Sequence, residues 1–226
     1  MATFILIPGA GGAAWYWHRV IPLLKTAGHE AIAVDLPGDD ETAGLSTYAE
    51  SVVEAAGTRS DVVLVAHSLG GFTAPLACER TRVRKLIFVN AMIPRPGERA
   101  GDWWENTGAT AARVEAARRG RYSENFDLET YFLHDVPAEL IAESAAHARD
   151  EAAIVFSQPC HFKAWPDIPI HVIAGVGDRF FPLAFQRHVS EERLGKKIDT
   201  LSGGHLLALS NPRGLADQLV SYLSRT

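Results

Sequence analysis

The chain has 226 residues, 47% of them hydrophobic and 22% charged, which is the balance of a globular protein long enough to bury one full core. A formal net charge of -5, with no Lys/Arg cluster beside aromatic residues, argues against nucleic acid as a partner. No stretch approaches the ~20 apolar residues that cross a bilayer. The two cysteines, Cys78 and Cys160, have no CxxC spacing and are too few for a disulfide framework, so a reducing, cytoplasmic setting is expected.

In chain order, the first predicted element is an apolar run at residues 3–8, TFILIP. It lacks a basic leader and is broken by Pro8-Gly9, so it reads as a strand and not as a signal peptide. A loop rich in small residues, PGAGGAAW, leads to a helical pattern at 17–27. Strand candidates follow at 30–38 (EAIAVDLPG), 61–66 (DVVLVA), 85–91 (KLIFVNA), 168–175 (IPIHVIAG) and 197–201 (KIDTL). Helical patterns fall at 47–56, 71–80, 183–189 and 212–223. Most of the strand candidates are continuous apolar runs, as expected for strands buried on both faces. Strand and helix in alternation predict a parallel sheet with helices on both sides, and ligands then bind beyond the carboxyl ends of the strands. Residues 95–165 break the rhythm with helical pieces such as GATAARVEAARRG and PAELIAESAAHARDEAAIVF, and with scattered aromatics including Trp103. A structureless loop of that length is improbable in a compact domain, so a helical lobe inserted over the sheet is expected. The core is then 1–94 plus 166–226.

The run VVLVAHSLGGF ends a strand on a serine hemmed in by small residues. A-x-S-x-G is the nucleophile-elbow pattern with Ala66 at its first position, set between a strand and a helix as that motif requires. The competing reading is that Ser68 caps the following helix. As a nucleophile, Ser68 needs an imidazole to take its proton and a carboxylate to fix the tautomer of that imidazole. Of nine histidines, His205 sits in a Gly-rich turn after the last strand candidate, whereas His67 adjoins Ser68 and is placed at the pocket mouth. Asp178 follows a strand in IAGVGDRFFP and completes the order Ser, Asp, His. Asp35 precedes the serine and Asp199 falls within a strand, so both rank behind it. Two backbone N–H groups are needed for an oxyanion. Leu69 opens the helix after the elbow and Ala10 lies in the loop after the first strand. That loop matches neither G-x-G-x-x-G nor the phosphate-cradling G-x-x-x-x-G-K-[ST].

With ILIPGAGGAAWYW, VLVAHSLGGF, IAGVGDRFFP and GGHLLALSNP in view, the chain resembles the α/β-hydrolases, in particular the branch of plant methyl esterases and hydroxynitrile lyases. The resemblance covers nearly the whole chain. It implies a fold of about six mainly parallel strands flanked by helices, with a helical cap at 95–165. It also implies a triad of Ser68, Asp178 and His205, an oxyanion hole at Ala10 and Leu69, and no metal or organic cofactor. Lyases of that branch carry Thr and Lys where this chain has Gly9 and Leu206, so the resemblance implies hydrolysis of a small or medium-sized carboxylic ester. A lactonase, a C–C bond hydrolase and a ligand-sensing receptor with little turnover share the same framework and stay open. Gly9, His67, Trp103 and Leu206 are the expected pocket residues, and monomer and homodimer are both compatible with the sequence.

Overall fold

The computed structural model describes residues 1–224. The six apolar runs form β1 (Thr3–Ile7), β2 (Glu30–Ala33), β3 (Val62–His67), β4 (Val83–Val89), β5 (Ile170–Gly175) and β6 (Asp199–Leu201). They pair in parallel in the order β2-β1-β3-β4-β5-β6. Alternate side chains of each central strand enter opposite cores, because successive Cβ atoms leave opposite faces of a pleated sheet. Ile5, Ile7, Val62, Leu64, Leu86 and Phe88 meet α2 (Leu45–Ala56), α3 (Gly70–Cys78) and α8 (Leu183–Leu194). Phe4, Leu6, Val63, Val65, Ile87 and Val89 meet α1 (Ile21–Thr26) and α9 (Pro212–Ser221). Each such side chain, fully withdrawn from water, contributes about 1.5–3 kcal/mol.

Two elements are shorter than their patterns suggest. β2 pairs only to Ala33, since the chain then turns so that the Leu36 N–H reaches the Gly12 carbonyl, and Pro37 has no N–H for a ladder. The helical pattern at 17–27 divides into a 3₁₀ turn, Ala14–Trp17, and α1. Cys78 and Cys160 are free thiols, and burial raises both to a pKa of about 12.

Between β4 and β5 the chain is helical: α4 (Ala100–Thr107), α5 (Ala109–Gly120), a π-helical turn (Glu129–Leu133), α6 (Ala138–Ser144) and α7 (Ala153–Ser157). The stretch PAELIAESAAHARDEAAIVF, helical by pattern, is not continuous. After a 3₁₀ turn at Ala145–His147, residues 148–152 leave the helix. The physical reason is tertiary, because this strap donates and accepts across the molecule. The Ala152 N–H reaches the Gly38 carbonyl at 2.7 Å, and Glu151 accepts from the Gly11 N–H at 2.6 Å.

Candidate active site

The end of β3 delivers Ser68 into a turn with φ +49°, a conformation that costs an L-residue on the order of 1–2 kcal/mol and is held only by its surroundings. The Ser68 carbonyl accepts from the N–H groups of Gly71 and Met92. A Cβ on Gly70 would lie 2.4 Å from the Pro8 carbonyl oxygen, and one on Gly71 would lie 1.8 Å from that of Met92. The small residues of the motif are therefore required by backbone approaching backbone. The serine does not cap α3: Leu69 is the residue before the helix, and the Ser68 hydroxyl points elsewhere.

It points to His205. Ser68 Oγ stands 3.1 Å from His205 Nε2, and His205 Nδ1 stands 2.9 Å from Asp178 Oδ2, with all three residues buried. A carboxylate only accepts, so Nδ1 carries the proton and Nε2 is free to accept from the serine hydroxyl. Asp178 is itself fixed. Its Oδ1 accepts from the Phe180 and Phe181 N–H groups at 2.9 Å each, and its Oδ2 also accepts from Gln186 Nε2 at 3.1 Å. Phe132, Phe180 and Phe181 surround the imidazole, with ring centroids 4.8–5.2 Å away, and shield it from water.

The loop bearing His205 is held from three sides. Asn90, fully buried at φ +44°, donates from Nδ2 to the carbonyls of Gly204 and His205 at 2.9 Å each, while its Oδ1 accepts from the Gly175 N–H at 2.8 Å. Asp135, next to the π-helical turn, accepts from the Gly204 N–H. His67 lies 3.0 Å from the His205 carbonyl through Nε2, which must therefore be the protonated nitrogen. Burial first, then the nearby imidazole of His205, holds the His67 pKa well below the ordinary histidine value, so its ring is neutral and stacked on Tyr16.

A cavity of about 550 Å³ opens above Ser68, and Gly9, Ala10, His67, His205 and Leu206 are among the residues lining it. A Cβ on Gly9 would stand 2.9 Å from Ser68 Cβ, which keeps that position a glycine. Among the described residues, no protein acceptor takes the N–H of Ala10 or of Leu69. Trp103 is the exception among the sequence-derived pocket residues. It is fully buried, donates to the Ile93 carbonyl at 3.1 Å and packs on Phe181 and Phe185. The apolar face of α4 turns it into the core, and the aromatic that lines the cavity from this segment is Phe132. Sequence reading also missed Asn90, Gln186 and Glu151. The only local signal was a polar Asn closing the apolar run KLIFVNA.

A parallel six-stranded sheet with a serine, imidazole and carboxylate in line beyond its strand ends defines an α/β-hydrolase. The chain belongs to the alpha/beta hydrolase family, whose model matches residues 4–218. It is similar to methyl jasmonate esterase 1 of Vitis vinifera, 36% identical over 107 residues, which covers 41% of this chain and 40% of that protein. It is likewise similar to esterase PIR7B of Oryza sativa subsp. japonica, 36% identical over 111 residues, covering 43% and 41%. The chain thus spans about two fifths of the length of the curated relatives it matches. In fold it matches the crystal structure of polyneuridine aldehyde esterase with a TM-score of 0.80 at 21% identity, over 99% of this chain and 100% of that one. Among the described residues no helix is long and apolar enough to cross a membrane.

Proposed function

We propose that this protein is a serine hydrolase that cleaves a small or medium-sized carboxylic ester through an acyl-enzyme. The observation that carries the reading is the buried chain from Ser68 Oγ through His205 to Asp178, at 3.1 and 2.9 Å, on the wall of a cavity. His205 Nε2 takes the hydroxyl proton as Oγ attacks the ester carbonyl carbon, and Asp178 stabilises the imidazolium that results. The Ala10 and Leu69 N–H groups receive the oxyanion. Collapse breaks the C–O bond, and the imidazolium protonates the departing alcohol. His205 then deprotonates a water that attacks the acyl carbon, and its proton returns to Ser68 as the acid leaves. Residues 95–165 act as a cap, whose Phe132 and Leu133 help to exclude water from the charged intermediate.

Relatives named as esterases support an ester as the substrate class. The glycine at position 9 and the leucine at position 206 leave the site without the hydroxyl and ammonium groups that cyanohydrin cleavage would use. The test is labelling by a fluorophosphonate followed by peptide mapping, with turnover of p-nitrophenyl esters measured in parallel. An adduct on Ser68 that disappears in His205→Ala, and a fall in kcat on the order of 10⁶ in Ser68→Ala, are expected. Undiminished ester hydrolysis by folded Ser68→Ala rejects the assignment.

A further inference from the structure

The oxyanion loop is built from residues that do not hold a shape by themselves. Gly9, Gly11 and Gly12 all fall within four positions, and Gly11 and Gly12 have φ of +80° and +68°. A turn bond from the Gly12 N–H to the Gly9 carbonyl and the Leu36 N–H on the Gly12 carbonyl hold one side of the loop, and the anchor at Gly11 comes from 140 residues further along the chain. Glu151 Oε2 accepts from the Gly11 N–H at 2.6 Å, and its Oε1 accepts from the Tyr48 hydroxyl at 2.6 Å. The strap carrying it lies directly on the loop, since a Cβ on Gly11 would meet the Arg149 carbonyl oxygen at 2.5 Å. Arg149 forks onto Asp35 at 2.7 and 3.2 Å, and Asp35 accepts from the Ala14 N–H at the far end of the same loop.

We propose that Glu151 is a positioning residue: its carboxylate pins the Gly11 amide and so holds the neighbouring Ala10 N–H aimed at the oxyanion, making the hole complete only when the 148–152 strap is seated. This rests on the hydrolase reading above. The Gly11 amide lies one peptide along from that of Ala10, so clamping it removes the rotation to which a run of glycines is most prone. A hydrogen bond to a carboxylate is roughly twice as strong as one between neutral groups, which suits a fixed anchor. Burial opposes the charge and raises the Glu151 pKa, while the bonds from Tyr48 and Gly11 and the Arg149 charge act the other way. The strap abandons helix to reach this site, where Glu151 also borders the cavity above Ser68.

The experiment compares kcat and KM for p-nitrophenyl butyrate in wild type, Glu151→Ala and Glu151→Gln, with the Ser68 fluorophosphonate adduct measured for each. Because the oxyanion exists only in the transition state, Glu151→Ala is expected to lose about 10²–10³ in kcat, as for a lost oxyanion donor, with KM within about threefold. Glu151→Gln is expected to stay within about tenfold of wild type, its amide oxygen accepting from Gly11 and its NH₂ donating to the Tyr48 oxygen. Thermal melting checks folding. Should Glu151→Ala not fold, Glu151→Met, similar in length and without an acceptor, carries the same expectation. A kcat within threefold of wild type in a variant without the acceptor, a loss expressed in KM alone, or a Gln variant as poor as Ala overturns the proposal. Wild type that neither labels at Ser68 nor turns over any ester overturns the hydrolase reading itself, and this inference with it.

Discussion

Asn90→Ala should unfold this protein more readily than its small size suggests. In the native state Asn90 Oδ1 accepts from Gly175 N–H, and Nδ2 donates to the Gly204 and His205 carbonyls. The His205 carbonyl keeps its bond from His67, and Gln186, which also reaches Asn90, keeps Phe181 and Asp178. Two buried groups are left without partners, the Gly175 N–H and the Gly204 carbonyl, at about 1–3 kcal/mol each. The alanine must also hold φ near +44°, at about 1–2 kcal/mol. Together these give a loss of about 3–8 kcal/mol, a large part of the 5–15 kcal/mol typical of a folded domain. Urea unfolding followed by circular dichroism measures it. Asn90→Gly separates the two contributions, since glycine accepts the left-handed backbone and should recover about 1 kcal/mol relative to alanine. A loss below about 1 kcal/mol in Asn90→Ala, or wild-type stability in Asn90→Gly, would refute the reasoning that this side chain ties the end of β5 to the His205 loop.

Gly71→Ala reverses the usual helix preference. Alanine gains about 1 kcal/mol over glycine in a helix interior, but here its Cβ would lie 1.8 Å from the Met92 carbonyl oxygen, which belongs to rigid backbone. The variant should melt far below wild type or fail to fold, and an equal or higher thermal midpoint would overturn the close-approach account. His67 should make stability depend on pH. Its native pKa is depressed by burial, so the unfolded chain binds more protons below about 6.5, and its contribution is complete above that value. As pH falls from about 6.5 toward the depressed native pKa, stability should drop by up to about 1.4 kcal/mol per pH unit from this group. Urea titrations between pH 7.5 and 5 should show a shallower drop in His67→Gln than in wild type. Parallel slopes would mean that the ring is not buried neutral.

Much of the site was legible because its parts are local patterns. A continuous apolar run closing on A-x-S-x-G, an Asp in a tight turn after a strand, and a His in a glycine turn each announce themselves within a dozen residues. Their meeting at 3.1 and 2.9 Å follows once parallel strands bring all three carboxyl ends to one edge of the sheet. Trp103 was misread for the opposite reason. An aromatic in an inserted segment has the same local appearance whether it faces a cavity or a core, and only the packing of α4 on Phe181 and Phe185 decides.

By itself, then, the chain's pattern of apolar runs and turn residues determined the parallel sheet, the sharp turn at Ser68 and the chain order of Ser68, Asp178 and His205, because these depend on backbone conformation and short spacing. Tertiary structure alone decided how those groups are held. Asn90 bridges β5 and the His205 loop across 85 and 115 residues, and Glu151 reaches the loop after β1 across 140. Hydrogen bonds between residues so far apart leave no periodic trace in sequence, and at residues 148–152 they outweigh a helical preference worth only tenths of a kcal/mol per residue.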